Sequence, residues 1–264
     1  IDPYGKGLLS LIGFLVKYSI DPAAVILGAY ISLRVFEKKR LRDIGFRCRR
    51  GAGRDILTGV LLGFALTGLI FAVELMLGWI RIKGYAWEYN DAYDYAVFLG
   101  KTFIMYISVA LTEEVFARGY FMIQLEKWKG APLAVIVSSV VFGLLHLFNA
   151  IGTWAAYVAP FTLAWAGVLF ALLYYWKRSL WIPIGFRFAW NFFEYEFFSL
   201  TGYGPGRSVF FVTELTGPRF WVGLPRSSFG PEVGALGVLA IAIGIAVVWV
   251  KRNGGRKKAN TGNT

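Results

Sequence analysis

One cysteine, Cys48, and one histidine, His146, are all that these 264 residues hold of the two side chains that most often bind zinc. A lone cysteine excludes an internal disulfide framework and any cysteine-rich zinc or iron–sulfur site. Charge is also scarce: Asp, Glu, Lys and Arg make up 17% of the chain, against 57% hydrophobic and 18% aromatic residues. A water-solvated domain carries about 25% charged residues and about 45–50% apolar ones, so this composition excludes an ordinary soluble globule. Acids are rarer than bases, 16 against 28, which leaves a net charge of +12. Such an excess can mark a nucleic-acid binder, but these bases flank apolar blocks and no motif for reading bases accompanies them, so nucleic acid is not an expected partner. No cleavable-signal pattern follows Ile1, and the first helices are expected to insert the protein. No internal repeat is visible, which disfavours the inverted-repeat transporters.

What the sequence has is apolar residues in long blocks: 22–36, 57–80, 95–112 continuing as a helix to about 126, 131–151, 154–176, 180–200 and 233–250. Crossing a bilayer takes ~20 such residues, so the expected fold is all-α, a polytopic transmembrane bundle of about seven to eight spans. A further block, 7–20, stops at Asp21-Pro22, which reads as an N-cap and first-turn proline opening a new helix. It fits either an eighth span or a helix lying on the interface. The organisation expected is a membrane segment over 1–36, a basic loop over 37–56, a membrane core over 57–250 and a basic, unstructured tail over 251–264.

Basic residues are asymmetric about these spans. With 37–54 in the cytoplasm, the bases of 37–54, 127–129, 177–178 and 251–258 all fall inside, and only Arg81, Lys83, Arg207, Arg219 and Arg226 fall between spans on the other side. The protein is therefore expected in a membrane with the loop 37–54 and the tail cytoplasmic and the lipid bilayer as a partner. The stretch 201–232, rich in Gly, Pro and aromatics such as Phe210, Phe211, Phe220, Trp221 and Phe229, suits a structured loop at the interface, covering a site or serving as an anchor. Ser228, Gly230, Pro231 and Glu232 then signal a helix start before the last span.

Ionisable residues inside spans are costly and mark function by default. The third long helix holds Glu113-Glu114-x-x-x-Arg118, in which Glu114 and Arg118 share a face with the acid first. Arg118 is expected to neutralise and orient Glu114. Glu113, pointing about a hundred degrees away, then faces another helix as a desolvated acid suited to general-base work. His146 lies in Phe142-x-x-x-His146 on the next helix, and Arg187 and Asn191 share a face of the sixth block with Glu194 three residues on. An Arg187–Glu194 structural ion pair is an alternative reading of that face. Glu74 also sits inside a span, without a recognisable companion.

The order Glu113-Glu114-x-x-x-Arg118, Phe142-x-x-x-His146 and then a motif ending in Asn191, on successive membrane helices, resembles the CPBP or Abi family of intramembrane proteases, whose eukaryotic members are type II CAAX prenyl proteases. The resemblance spans roughly 37–250, and the surroundings of Ile182-Pro183-Ile184-Gly185 are similar to those of bacterial or archaeal members, which implies a prokaryotic cell membrane. It implies a water-filled cavity in the bundle where Glu113 and His146 activate water. Asn191, with the residue four positions before it, is then expected to stabilise the oxyanion of a peptide bond. Glu114 and Arg118 support the site. The implied activity is intramembrane endopeptidase action on a membrane-associated peptide or protein, CAAX-like or otherwise lipidated. A non-catalytic scaffold or bacteriocin-immunity role is the alternative, and a transporter is a weaker one.

One departure bears on cofactors. The family's third motif is usually His-x-x-x-Asn, and this chain has Arg187 in place of that histidine. A guanidinium has no lone pair to give a metal. Zinc, which the resemblance allows, would be left with Glu113, His146 and Asn191, a poor set of ligands. Metal-independent glutamate chemistry is the expectation.

Overall fold

The computed structural model describes residues 7–47, 50–150, 152–204, 207–227 and 229–261. Cys48, Arg49 and Ser228 lie outside the described residues. The chain is a helical membrane bundle, and five helical stretches among the described residues are long and apolar enough to cross a bilayer: Leu9–Phe36, Ala52–Met76, Ala92–Leu145, Ala155–Lys177 and Ala235–Arg252.

The first helix, α1, runs unbroken over Leu8–Phe36 with Pro22 inside it. The expected break at Asp21-Pro22 does not occur, and the 7–20 block is the first half of one span. Pro22 forfeits a single hydrogen bond to the carbonyl four residues back. In lipid the remaining backbone groups have no other partner, so the helix carries on through the proline.

Helix α2 covers Ala52–Met76 and is followed by strand β1, Ile80–Tyr85. Helix α3, Ala92–Glu114, begins with the Asp91 side chain accepting from the Asp94 N–H, an N-cap, and passes without a break into a π-helical stretch, Val115–Phe121, and then α4, Met122–Leu145. A straight helix would hold residues 113 and 146 about 50 Å apart at 1.5 Å per residue. Their side chains instead lie 3.9 Å apart. The chain doubles back at Gly130, whose φ of 83° and ψ of 170° are not helical, with Pro132 opening the return. This single 54-residue stretch therefore supplies two passes, as the blocks ending near 126 and opening at 131 predict.

A short α5, Leu147–Ala150, leads to α6, Ala155–Lys177. Helix α7, Trp181–Asn191, again turns π-helical over Phe192–Phe197. Its placement depends on small residues. A Cβ on Gly59 of α2 would stand 2.1 Å from the Ile182 carbonyl oxygen, one on Gly185 2.4 Å from that of Ile56, and one on Gly63 2.8 Å from the Ala189 Cβ. Gly59-x-x-x-Gly63 thus meets Gly185-x-x-x-Ala189 backbone against backbone, the small-residue contact by which helices approach closely in lipid. An apolar core including Leu66, Leu169, Phe186 and Ile241 fills the space between α2, α6, α7 and the last helix, α9, Ala235–Thr261. That helix continues into the basic tail that composition predicts to be unstructured.

The segment between α7 and α9 is ordered by pairing that sequence reading did not foresee. Strand β2, Phe211–Leu215, pairs antiparallel with β1, Ile80 opposite Leu215 and Tyr85 opposite Phe211. A single turn of helix, α8, follows at Arg219–Val222.

Candidate active site

Two of the three helices that carry the sequence-predicted residues, α3 and α7, leave α-helical geometry at the site. Glu113 and Glu114 end α3 where the π-stretch begins, and Asn191 ends α7 where the second one begins. The widened turn is a feature often found at functional sites. It keeps Arg118 within reach of Glu114 and continues the helix toward the Gly130 turn.

The buried charges form one network. Arg118 Nη1 donates to Glu114 Oε1 at 3.1 Å, and Arg187 Nη2 donates to the same oxygen at 3.2 Å. Arg118 Nη2 also donates to the Gly167 carbonyl at 3.3 Å. Glu114 and Arg118 are fully buried, and Arg187 is nearly so. Both guanidiniums lie over the same two rings: Arg187 is 3.8 Å from the Phe170 centroid and 4.6 Å from that of Phe142, and Arg118 is 4.9 and 4.5 Å from them. Desolvated cation–π contacts of this kind help hold charge away from water. The alternative Arg187–Glu194 pair does not form; Arg187 turns to the acid pair on α3.

Glu113 is the less buried acid. Its Oε2 lies 3.2 Å from Arg187 Nε, an ion-pair contact without the alignment of a hydrogen bond, and its Oε1 lies 3.9 Å from His146 Nε2. His146 caps the end of α4, with its Nδ1 2.8 Å from the Phe142 carbonyl oxygen. A carbonyl only accepts, so Nδ1 carries the proton and Nε2 presents its lone pair toward Glu113. Gly143 makes this position possible: a Cβ there would stand 2.1 Å from the Pro160 carbonyl oxygen, so α4 and α6 touch backbone to backbone one turn before His146.

Two cavities meet at this pair. The first, about 240 Å³, is lined by Glu113, His146, Arg187 and Asn191, and also by residues that sequence reading did not assign to it: Tyr106, Tyr195, Glu196, Tyr203, Phe229 and Glu232. Its far wall is tied by Tyr106 donating to Glu196 at 3.0 Å and by Trp190 Nε1 donating to Glu232 at 3.0 Å. The second, about 230 Å³, shares Glu113 and His146 but is otherwise mostly apolar, with Phe116, Phe121, Val141 and Leu145 among its walls. Glu113 and His146 therefore stand between a polar chamber and an apolar one. Glu74 and Glu194 are buried and do not line the polar chamber, although the Glu194 carboxylate lies against Gly230, behind the far wall.

Residues 95–193 match the family model described as Rce1-like, type II CAAX prenyl endopeptidase Rce1-like. The match agrees with the resemblance carried by Glu113, His146 and Asn191. It takes in the whole of the folded-back α3–α4 unit from Tyr95 onward, α6, and α7 to its π-stretch. No curated protein and no solved structure matches the chain.

The donor set does not fit the zinc that the family resemblance allows. Glu113 Oε1 and His146 Nε2 can face one point, but the position of a further ligand is taken by a guanidinium already in contact with Glu113. Among the described residues no group of three His, Cys, Asp or Glu is placed to hold a metal ion. Asn191 offers a neutral amide oxygen, a weak substitute in a zinc site.

Proposed function

We propose that this protein is an intramembrane endopeptidase that hydrolyses a peptide bond in a membrane-associated peptide or protein, with Glu113 as general base. The observation that carries this reading is the Glu113–His146 geometry. A gap of 3.9 Å between the Glu113 oxygen and the His146 Nε2 lone pair is too long for a direct hydrogen bond. It suits one water that donates an O–H to each and keeps a lone pair for attack. Glu113 takes a proton as the water oxygen bonds to the peptide carbonyl carbon, and His146 holds the other O–H and fixes the direction of approach. The carbonyl oxygen, now an oxyanion, is met from α7 by the guanidinium of Arg187 and the amide of Asn191. The proton on Glu113 passes to the amide nitrogen as the C–N bond breaks, leaving a new amine and a new carboxylic acid, which gives up the second proton of the water to solvent.

Glu114 and Arg118 act through position. Glu114 holds Arg187 beside Glu113, and Arg118 balances the charge that Glu114 brings. The apolar chamber gives the substrate's apolar side chains or lipid a place next to the scissile bond. The test is cleavage of a lipidated peptide by protein reconstituted in liposomes. Glu113→Gln should lose about 10²–10⁴ in rate, as removal of a general base does, with folding intact. Equal activity in the wild type and the variant would remove Glu113 from the mechanism.

A further inference from the structure

We infer that the polar chamber opens on the extracytoplasmic side of the membrane, so that the bond it cleaves is presented from outside the cell; this rests on the peptidase reading only for its second clause.

The structure gathers the basic segments on one end of the bundle. The Leu180 N–H donates to the Gly45 carbonyl at 3.1 Å and Trp181 Nε1 to that of Arg47 at 2.8 Å. Lys177 binds Asp55 at 2.8 Å, Arg178 binds Glu126 at 2.6 Å, and Lys127 binds Glu37. Residues 37–47, 50–55, 124–129 and 177–181 therefore share one face. Segments 79–95, 200–204 and 207–226 are knit together on the other, through the β1–β2 pair, the Ala86 N–H to the Phe210 carbonyl at 2.9 Å, the Tyr95 hydroxyl to the Val209 carbonyl at 2.8 Å and the Arg226 N–H to the Thr201 carbonyl at 2.7 Å. The first face carries most of the bases, and the rule that bases stay inside makes it cytoplasmic.

The chamber lies toward the second face. Tyr203, Phe229 and Glu232, which wall it, all belong to the segment between α7 and α9. On the way from Glu113 to the basic face stand the buried Glu114–Arg118 pair and a plug of Val115, Met122, Leu180 and Ile184, none more than 7% exposed. A polar chain has no course through that plug, and the second chamber, which runs beside it along Phe116, Ala117 and Phe121, is mostly apolar; the polar opening is the one walled by Tyr203, Phe229 and Glu232. A substrate of this site is an exported or outward-facing chain held at the membrane, cut in its extracytoplasmic part.

Single cysteines in a Cys48→Ser background test this in intact cells with a membrane-impermeant maleimide. Lys83→Cys and Tyr203→Cys should label without permeabilisation, the first reporting the face and the second the chamber, while Lys129→Cys should label only after it. Labelling of Lys129→Cys from outside, with Lys83→Cys and Tyr203→Cys protected, would overturn the inference. So would a labelled Lys83→Cys with a Tyr203→Cys reached only from the cytoplasmic side in inverted vesicles. Co-expressed single-span reporters, carrying one cleavage segment outside or inside, should be cut only in the outside version and not by Glu113→Gln. Cutting of the inside version alone would again overturn the inference. Correct labelling with neither reporter cut leaves the outward opening supported and counts against the peptidase reading instead.

Discussion

The guanidinium of Arg187 crosses from α7 to the Glu114 carboxylate on α3, 3.2 Å away, and meets there the same oxygen that Arg118 holds at 3.1 Å. One acid thus serves two cations, with Glu114 and Arg118 wholly buried and Arg187 reaching the polar chamber. Their removal should have unequal effects. Arg118→Ala leaves Glu114 with Arg187, whereas Glu114→Gln takes the carboxylate from Arg118 and leaves Arg187 with Glu113 alone. Breaking a buried pair costs about 3–5 kcal/mol, and Glu114→Gln should reach the upper part of that range while Arg118→Ala falls below it. Thermal unfolding in detergent gives the order, and the reverse order would show that Arg187 does not depend on Glu114.

Arg187 also separates metal-free from metal-dependent chemistry. Arg187→Ala should lower the rate by about 10²–10³, the loss expected for one oxyanion donor. Arg187→His places an imidazole beside Glu113 and His146 and should create zinc affinity that the wild type lacks. Cleavage by the wild type should survive a chelator, and bound-metal analysis should find zinc only in the histidine variant. Stoichiometric zinc in the wild type, with reversible loss of activity on chelation, would defeat the glutamate mechanism. Activity confined to Arg187→His would identify the natural chain as a binding protein, a reading that the Arg187–Glu113 contact favours because it occupies one oxygen of the base.

The glycine contacts between α2 and α7 set where Arg187 and Asn191 stand. Gly59→Ala must push the helices apart, since its methyl would lie 2.1 Å from a backbone oxygen that cannot swing away. Overpacking of this kind costs about 1–3 kcal/mol, and here it should also lower kcat through the displaced α7. Gly53→Ala on the same helix meets nothing within 4 Å and should be neutral or slightly stabilising. Melting temperature and kcat measured on both variants check the contrast; equal behaviour would mean the helices are not held by close backbone approach.

Outside the membrane, Glu37 at the end of α1 joins the first span to the Gly130 turn. Burial acts to raise its carboxyl, but hydrogen bonds from Lys127 and Gln124 outweigh that and hold it below the usual carboxylate range. A depressed folded value means that the stabilisation is present above the unfolded carboxylate range, near pH 4 to 5, and is lost as pH falls through the folded value. Glu37→Gln should therefore lower thermal stability slightly at pH 7, as exposed pairs do, and the gap from wild type should close on acidification. A gap that is constant with pH would assign the effect to packing.

The site residues were legible because an ionisable group in an apolar helix is conspicuous, and the spacing of Glu114 and Arg118 gave their shared face directly. The pairing of Arg187 was not, because the local reading offered Glu194 on the same helix and the true partner lies 73 residues back on another. Tyr203, Phe229 and Glu232 sit in a segment without periodicity, so nothing in the sequence aimed them at Glu113. The same holds for β1 and β2, short strands separated in the chain by five helices. Pro22 misled for a different reason: rules for helix starts were learned in water, and a bilayer removes the alternative partners that let a chain break there.

A π-turn is an α-turn into which one residue has been added, so the stretches 115–121 and 192–197 are places where the chain can lose a residue without turning the helix beyond. Deleting one residue within 115–117 would close the wide turn to ordinary helix and leave the following residues facing nearly as before. Arg118 would then stand three places from Glu114, still on its face, and the turn at Gly130 would still return the chain toward the site. Only the side chains inside the turn would be re-aimed, so a chain one residue shorter at either stretch would keep its motif residues in place.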